Sequence, residues 1–378
     1  MAERPAPLVL VVDPSRAAAD ASFGSYAAVA ATGQRLLAGE LAERFGAQGA
    51  AVAPLLPERP PDGGAFHWGR WFVAAARAAL DGRGTLDAIG YAGAGSLALL
   101  ADEALDELLS PLAGEVVANN RWSADAFVVA GDLERALDAL GACPTDNAAV
   151  RTLEAAGYAV RDIVTAPWAR FDVDTPLDLA LLRTAGRLPG TRRPSGAVGR
   201  FLAMAQLPGG RGLEVPHLAA LGAVIRDRDA ELVVAGRVPT ATLAHLETET
   251  ACRTRAFVEE RGMRSARGTG RPRSLLATLM DRTSPADLIA ELTRLGDAVV
   301  LDTRVVMAAL ARSADAAAWP PEEDRFASDF GDHARVGAPW LAELTAAAAA
   351  ASVPVLLGGH ALVSDGMHIL VGAAWAGR

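Results

Sequence analysis

Residues 169–186 read ARFDVDTPLDLALLRTAG. Asp172 and Asp174 alternate along what reads as the end of a strand, and Thr175-Pro176 then opens an apolar helix. The helix start explains itself. Thr175 is an N-cap, Pro176 stands at the first helical position where its missing N–H costs nothing, and Asp178 favours the positive end of the helix. Asp174 is partly accounted for as an acid beside a helix N-terminus. Asp172 is not, because it lies near the carboxyl end of a strand, the edge of an open α/β sheet where ligands sit. Two readings are open: a pair of carboxylates aimed at a metal-bound phosphate, or punctuation at the beginning of a helix.

Working outward, short β runs alternate with helical patterns, which predicts an α/β fold with a mixed, mostly parallel sheet followed by a second α/β region. In the first half PLVLVVD (7–13), TLDAIGYAG (85–93), EVVANN (115–120) and ADAFVVAG (124–131) read as strands, and YAVRDIVT leads back into the sheet. GQRLLAGELAERFGA (33–47) carries Leu36, Leu37, Leu41 and Phe45 at helical spacing. FVAAARAAL (72–80), LADEALDELLSPL (100–112), DLERALDALG and NAAVRTLEAAG (147–157) also read as helices. The Gly/Pro/Arg-rich passage GRLPGTRRPSGAVG (186–199) reads as a linker or surface loop. In the second half AELVVAG, DAVVLD, VPVLLGG and HILVG (368–372) are strand candidates, and residues 240–262 read as one long helix. Glu259, Glu260 and Arg261 then fall on its solvated face. PPEEDRFASDFGDH (320–333) reads as an acidic loop. The expected division is a first domain over 1–185, a linker or loop over 186–215 and a second α/β region over 216–378.

Composition narrows the function classes. The chain has 378 residues, enough for two domains at roughly 100–200 residues each, and 51% apolar residues to fill their cores. Its net charge of −9 argues against non-specific contact with nucleic acid or an anionic membrane. The opening MAERPAPLVLVVDPS has one short apolar run broken by Asp13-Pro14, so no signal peptide is expected, and no run approaches the length of a membrane span. Two distant cysteines, Cys143 and Cys252, fit idle thiols in a reducing cytoplasm. There is no lysine, and all 36 basic residues are arginine. That excludes a P-loop, a Schiff base and a lysine general base. Any cationic phosphate contact must come from arginine, backbone N–H groups or a metal.

The stretch FDVDTPLDLALL resembles the late motif of nucleotidyltransferases with the nucleotide-diphospho-sugar transferase (glycosyltransferase-A-like) fold. That group includes the molybdenum-cofactor nucleotidyltransferases and the 2-phospholactate guanylyltransferases. The layout upstream, from WGRWFVAAARAAL through GYAGAGSLALLADEALDELL, is similar to that family's helix, strand, turn and Leu-rich helix. The resemblance covers residues 65–185 and, in outline, 7–50. It implies a nucleotide-diphospho-sugar-transferase-like first domain that binds a Mg-nucleotide or nucleotide sugar. Such a domain would pass a nucleotidyl group to a small phosphorylated or sugar-acid acceptor. It also implies Mg²⁺ held by Asp174, with Asp172 beside it. Ser96 of AGSLALL stands where the family has its other metal carboxylate, and a hydroxyl is a poor substitute on Mg²⁺. Asp13, Ser15 and Arg16 stand in the place of the family's Gly-rich phosphate loop. A second expectation follows from these two differences: a non-catalytic binder of a nucleotide or anionic metabolite, or a scaffold.

Further polar candidates for the pocket of the first half are Asn119, Asn120, Arg121, Ser123 and Asp125, with turn and cap chemistry as the alternative. Asp146 and Asn147 begin a helix. His67, Trp68, Arg70 and Trp71 suit either stacking on a base or packing of an amphipathic helix. In the second half Arg237, Asp302-Thr303-Arg304 and Gly359-His360 follow three strand candidates. Parallel strands would open all three into one crevice, where Arg237, Arg304 and His360 would bind an anionic ligand. The expected partners are small molecules, with no nucleic acid and no membrane, and homo-oligomerisation is left open.

Overall fold

A computed structural model describes residues 6–14, 24–55, 66–81, 86–163, 168–260 and 272–377. The chain is α/β and divides into two compact units. One comprises Met1–Ala21 with Ala31–Asp174, the other Ser22–Ala30 with Thr175–Arg378. Arg16 and Ser15 lie outside the described residues.

The first unit is built on a six-stranded mixed sheet: β1 (Leu8–Val12), β2 (Ala51–Leu55), β3 (Ala88–Ala92), β4 (Glu115–Ala118), β5 (Ala126–Ala130) and β6 (Ala159–Asp162), in the order β2-β1-β3-β5-β4-β6. β5 alone runs against its neighbours, pairing antiparallel with β3 and β4, while the remaining pairings are parallel. Side chains on successive strand residues point to opposite faces. Leu8, Leu10, Ile89, Tyr91, Phe127 and Val129 accordingly pack on one face with Trp68, Phe72, Leu137 and Leu153. Val9, Val11, Val117, Val128 and Ala130 pack on the other with Ala38, Leu41, Phe45 and Leu105. Burial on both faces is what near-continuous apolar strands such as LVLVV require.

The second unit carries a four-stranded, wholly parallel sheet: β9 (Glu231–Gly236), β10 (Arg253–Val258), β11 (Ala298–Asp302) and β12 (Val355–Gly358), in the order β10-β9-β11-β12. A two-stranded ribbon, β7 (Gln206–Leu207) with β8 (Arg211–Gly212), precedes it. Leu232–Ala235 and Ala298–Asp302 are fully buried. Helices cover the sheet, among them Leu218–Arg226, Pro285–Thr293, Pro339–Ala350 and Asp365–Ala376.

Four local expectations are corrected here. The long helix over 240–262 is a helix only at Thr240–Glu249. The chain then turns and Arg253–Val258 forms β10. β10 is an edge strand whose Arg253, Thr254 and Arg255 are exposed, and charged edges block pairing with other chains. Glu259 therefore sits past a strand, not on a helix face. Its carboxylate accepts from the Leu275 N–H at 2.7 Å and the Ser274 hydroxyl at 2.5 Å, at the start of the helix Leu275–Arg282. HILVG belongs to the helix Asp365–Ala376, where Met367, Leu370, Val371 and Ala374 supply a buried face at helical spacing. A short apolar run cannot by itself distinguish a strand from a buried helix. The acidic passage 320–333 holds the helix Glu322–Asp329, with three acids in its first turn, where the helix dipole favours them. The Gly/Pro/Arg-rich passage ends in a helix beginning at Gly196.

Candidate functional site

In the first unit the carboxyl ends of β1, β3, β4 and β6 share one edge of the sheet, and the reversed β5 begins at that same edge. This places Asp13, the turn Gly93–Ser96, Asn119 and Asp125 along a single rim. The Gly93 N–H donates to the Asp125 carbonyl at 2.8 Å, and the Asn119 N–H to that of Ala126 at 3.1 Å.

The opening stretch meets this rim through two anchors. Asn119, 1% exposed, is the first. Its Oδ1 accepts from the N–H groups of Asp125 and Ala126, both at 3.0 Å, and its Nδ2 donates to the Ala169 carbonyl at 3.0 Å and to Asp125 Oδ2 at 3.3 Å. The second is Gly95, whose carbonyl accepts from the Val173 N–H at 3.2 Å. A Cβ at Gly95 would lie 2.2 Å from the Val173 carbonyl oxygen and 3.0 Å from Asp172 Oδ1, so only glycine admits this approach. Gln34 Nε2 donates to the same Val173 carbonyl at 3.0 Å. Between the anchors burial alternates: Phe171 and Val173 are buried, Asp172 is half-buried and Asp174 exposed. Residues 171–174 are not part of a ladder strand, since β6 ends at Asp162. Asp172 Oδ1 accepts from the Val173 N–H at 3.0 Å.

The capping expectation at Thr175 is met in both directions. Thr175 Oγ1 accepts from the Asp178 N–H at 3.2 Å, and Asp178 Oδ2 accepts from the Thr175 N–H at 2.9 Å. This accounts for Thr175 and Asp178 and leaves Asp172 and Asp174 outside the cap.

Several of the other candidates have defined local partners. Ser96 is 3% exposed and its hydroxyl donates to the Gly93 carbonyl at 2.8 Å, closing the turn. Asn120 Oδ1 accepts from the Trp122 N–H at 3.2 Å. The Arg121 guanidinium pairs with Glu154 and lies over the Trp122 ring, 5.1 Å from its centroid. Ser123 bonds Asn147. His67 caps the helix Trp68–Leu80, and Trp68 is buried against Phe72, Tyr91 and Phe127, so the aromatic group there serves packing.

Tyr91 was not singled out by sequence, because it reads as one more apolar strand residue. Its hydroxyl donates to Asp146 Oδ2 at 3.3 Å. Burial pushes its phenol well above the ordinary value of 10.0, and the negative charges of Asp146, Asp125 and Asp172 add to that shift. Three carboxylates from separate loops are thus within electrostatic reach of one phenol. Two bulky residues at positive φ, Leu97 at 59° and Trp168 at 66°, flank the two anchors. Such conformations cost on the order of 1–3 kcal/mol each and collect at functional sites. Replacing Asn119 by alanine strips two buried N–H groups of their acceptor. An expected loss of about 1–3 kcal/mol follows, to be read by urea denaturation.

Among the described residues no three His, Cys, Asp or Glu side chains are disposed to hold a metal ion. The donor set at 172–174 is oxygen-only and anionic. That fits the way Mg²⁺ is usually held at nucleotide sites, by one or two carboxylates together with phosphate oxygens and water. No helix among the described residues is long and apolar enough to cross a membrane.

In the second unit Arg237, Arg304 and His360 follow the ends of β9, β11 and β12, which are neighbours in the sheet. Arg237 and Asp302 form a bidentate pair, Nε to Oδ2 at 2.6 Å and Nη2 to Oδ1 at 3.1 Å. Arg304 and Asp329 form another, at 2.5 and 2.7 Å. Both aspartates are fully buried. Burial alone would raise the Asp302 carboxyl, but Arg237, with His360 and Arg304, holds it below the ordinary 3.8.

No protein-family model matches the chain, and no curated protein matches it.

Proposed function

We propose that the first unit is a nucleotidyltransferase-like domain that binds a Mg-nucleotide at the rim formed by Gly93–Ser96, Asp125 and Asp172–Asp174. One observation carries this reading. The turn after β3 and the acidic stretch, far apart in sequence, are stitched together by the Gly95–Val173 contact, which leaves Asp174 exposed and Asp172 half-buried with its Oδ1 accepting from the Val173 N–H at 3.0 Å. The sequence resemblance pairs the same two segments. Asp172 and Asp174 would hold Mg²⁺, which when bound would offset negative charge on the nucleotide phosphates. Asn119 and Gln34 would fix the acidic stretch, and the Gly93–Ser96 turn would form the floor beside it. The acceptor would be a small phosphorylated or sugar-acid molecule.

Ser96 favours a second reading. Its hydroxyl is committed to the Gly93 carbonyl and is buried, so it does not replace a missing carboxylate. A domain that binds the nucleotide without transferring it accommodates this. The two readings part in a thermal-shift panel of the four nucleoside triphosphates and CDP- and GDP-sugars, with and without Mg²⁺. The transferase reading expects a Mg²⁺-dependent rise in Tm that Asp174→Ala abolishes. A rise that ignores the metal favours the non-catalytic binder, and no rise with any nucleotide refutes both.

A further inference from the structure

Among the described residues Trp122 is the bulkiest apolar side chain left in solvent, at 61% exposed. It stands in the loop that joins β4 to the reversed β5, at the carboxyl end of β4. That is the edge at which open α/β sheets take ligands. Exposure alone would carry nothing, because single apolar side chains are commonly left in water. What distinguishes Trp122 is that its loop is fixed from several sides.

The Arg121 N–H donates to Asp162 Oδ2 at 3.0 Å, which ties the loop to the last residue of β6. The Trp122 N–H donates to Asn120 Oδ1 at 3.2 Å, and the Ser123 N–H to the Asn120 carbonyl at 3.3 Å. The Ser123 hydroxyl bonds Asn147, at the start of the next helical segment. Above the loop the Arg121 guanidinium, paired with Glu154, lies over the indole at 5.1 Å from its centroid. One face of the ring is thus covered by Arg121. At 61% exposure the other face is bare. A ring held in this way loses little conformational freedom when a second ring stacks on it.

The position along the rim also fits. β4 is the second strand from β3 in the sheet, roughly 10 Å away at the usual strand spacing. The Gly93–Ser96 turn follows β3, and the Gly95–Val173 contact holds the acidic stretch beside it. Phosphates bound at that stretch leave the sugar and base to lie along the rim towards β4, a span that a nucleotide covers. We infer that Trp122 is the stacking platform for the base of the bound nucleotide and that this base is a purine. The inference rests on the nucleotide reading of the first unit. Stacking strengthens with ring overlap, and the fused rings of a purine cover more of an indole than a single pyrimidine ring does.

Isothermal titration of the full chain with Mg²⁺ tests the assignment, using ATP, GTP, CTP and UTP as ligands and tripolyphosphate as a probe without a base. At least one purine nucleotide should bind more tightly than both pyrimidine nucleotides. Trp122→Ala, which alters an exposed side chain, should weaken that purine nucleotide roughly tenfold or more. Trp122→Phe should weaken it less, and neither variant should change the binding of tripolyphosphate. Purine binding should also quench part of the tryptophan emission, and Trp122→Phe should remove that quench. Asp174→Ala should abolish binding of nucleotide and tripolyphosphate alike. If nucleotide binding needs Asp174 but ignores Trp122→Ala, this inference fails and the nucleotide reading stands. If no nucleotide binds, both fail. Pyrimidine nucleotides binding as tightly as purine ones, or Trp122→Ala weakening tripolyphosphate as much as nucleotide, also overturns it. So does self-association that Trp122→Ala abolishes with nucleotide affinity unchanged, which would give the indole to a second copy of the chain.

Discussion

Replacing Arg304 by methionine is expected to lower the unfolding free energy by about 3–5 kcal/mol, the usual cost of leaving one member of a buried ion pair behind. Arg304 is 5% exposed and Asp329 2%, and the two share a pair of parallel hydrogen bonds. Burial would lower the Arg304 pKa, but Asp329 raises it above its ordinary value, while burial raises the Asp329 carboxyl and Arg304 opposes that shift. Without the guanidinium the Asp329 carboxylate has to ionise in an apolar interior or take up a proton. The double variant Arg304→Met/Asp329→Leu should recover most of the loss, because an apolar pair of similar volume avoids desolvating either charge. Urea denaturation of the three proteins reads this directly. A single-variant loss below about 1 kcal/mol would mean that the pair behaves as an exposed one.

The neighbouring pair adds a pH dependence of defined sign. The folded-state pKa of Asp302 lies below its ordinary 3.8. Its contribution to stability is therefore fully present above pH 3.8 and is lost as pH falls through the lower folded value. Removing Arg237's charge should flatten this acid limb. Tm measured across the acid range, in wild type and in Arg237→Gln/Asp302→Asn, checks the sign.

Gly95→Ala should have the second-largest effect, and it bears on function as well as stability. The added Cβ meets the carbonyl oxygen and carbon of Val173 at 2.2 and 2.9 Å. These are backbone atoms and cannot rotate away, so the acidic stretch has to move. The expected cost is about 1–3 kcal/mol of overpacking, with loss of the Mg²⁺-dependent nucleotide shift. Gly93→Ala, two residues earlier, is the control. Its Cβ would find its nearest atom at 3.5 Å, an ordinary contact, and stability should change by no more than about 0.5 kcal/mol. If both variants keep the nucleotide shift, the Gly95–Val173 junction does not shape the site.

Much of the fold was legible because its signals are local. Apolar runs such as LVLVV and ELVVAG announce buried strands, and Thr175-Pro176 with Asp178 announces a helix start through chemistry confined to four residues. The failures came where local signals are ambiguous. HILVG fits a strand or a buried helix equally well until its neighbours are known. The passage 240–262 reads as one helix until β10 is seen to complete a sheet edge. β2 went unnoticed because AVAPL carries a proline and is short, and only its pairing with β1 makes it a strand.

For the candidate sites the division is sharper. Residue types were readable, and so was the place of Asn119, Arg237, Arg304 and His360 after strand ends, whereas Asp172 and Asp174 were named from a strand that the structure does not form there. The partners of these residues were not readable. Asn119 ties the 169 stretch to the start of β5, and Tyr91 lies within electrostatic reach of acids from three loops. Arg304 is spent on Asp329, which lies in a passage that reads as a loop. By itself the sequence determined the α/β class, the capped helix after Asp174 and the reliance on arginine for cationic chemistry, since each follows from composition or from neighbours along the chain. Only the tertiary structure decided which carboxylates are buried in ion pairs with arginine, as Asp302 and Asp329 are. Charge pairing depends on distances between residues far apart in sequence, and those distances exist only once the strands are ordered in their sheets.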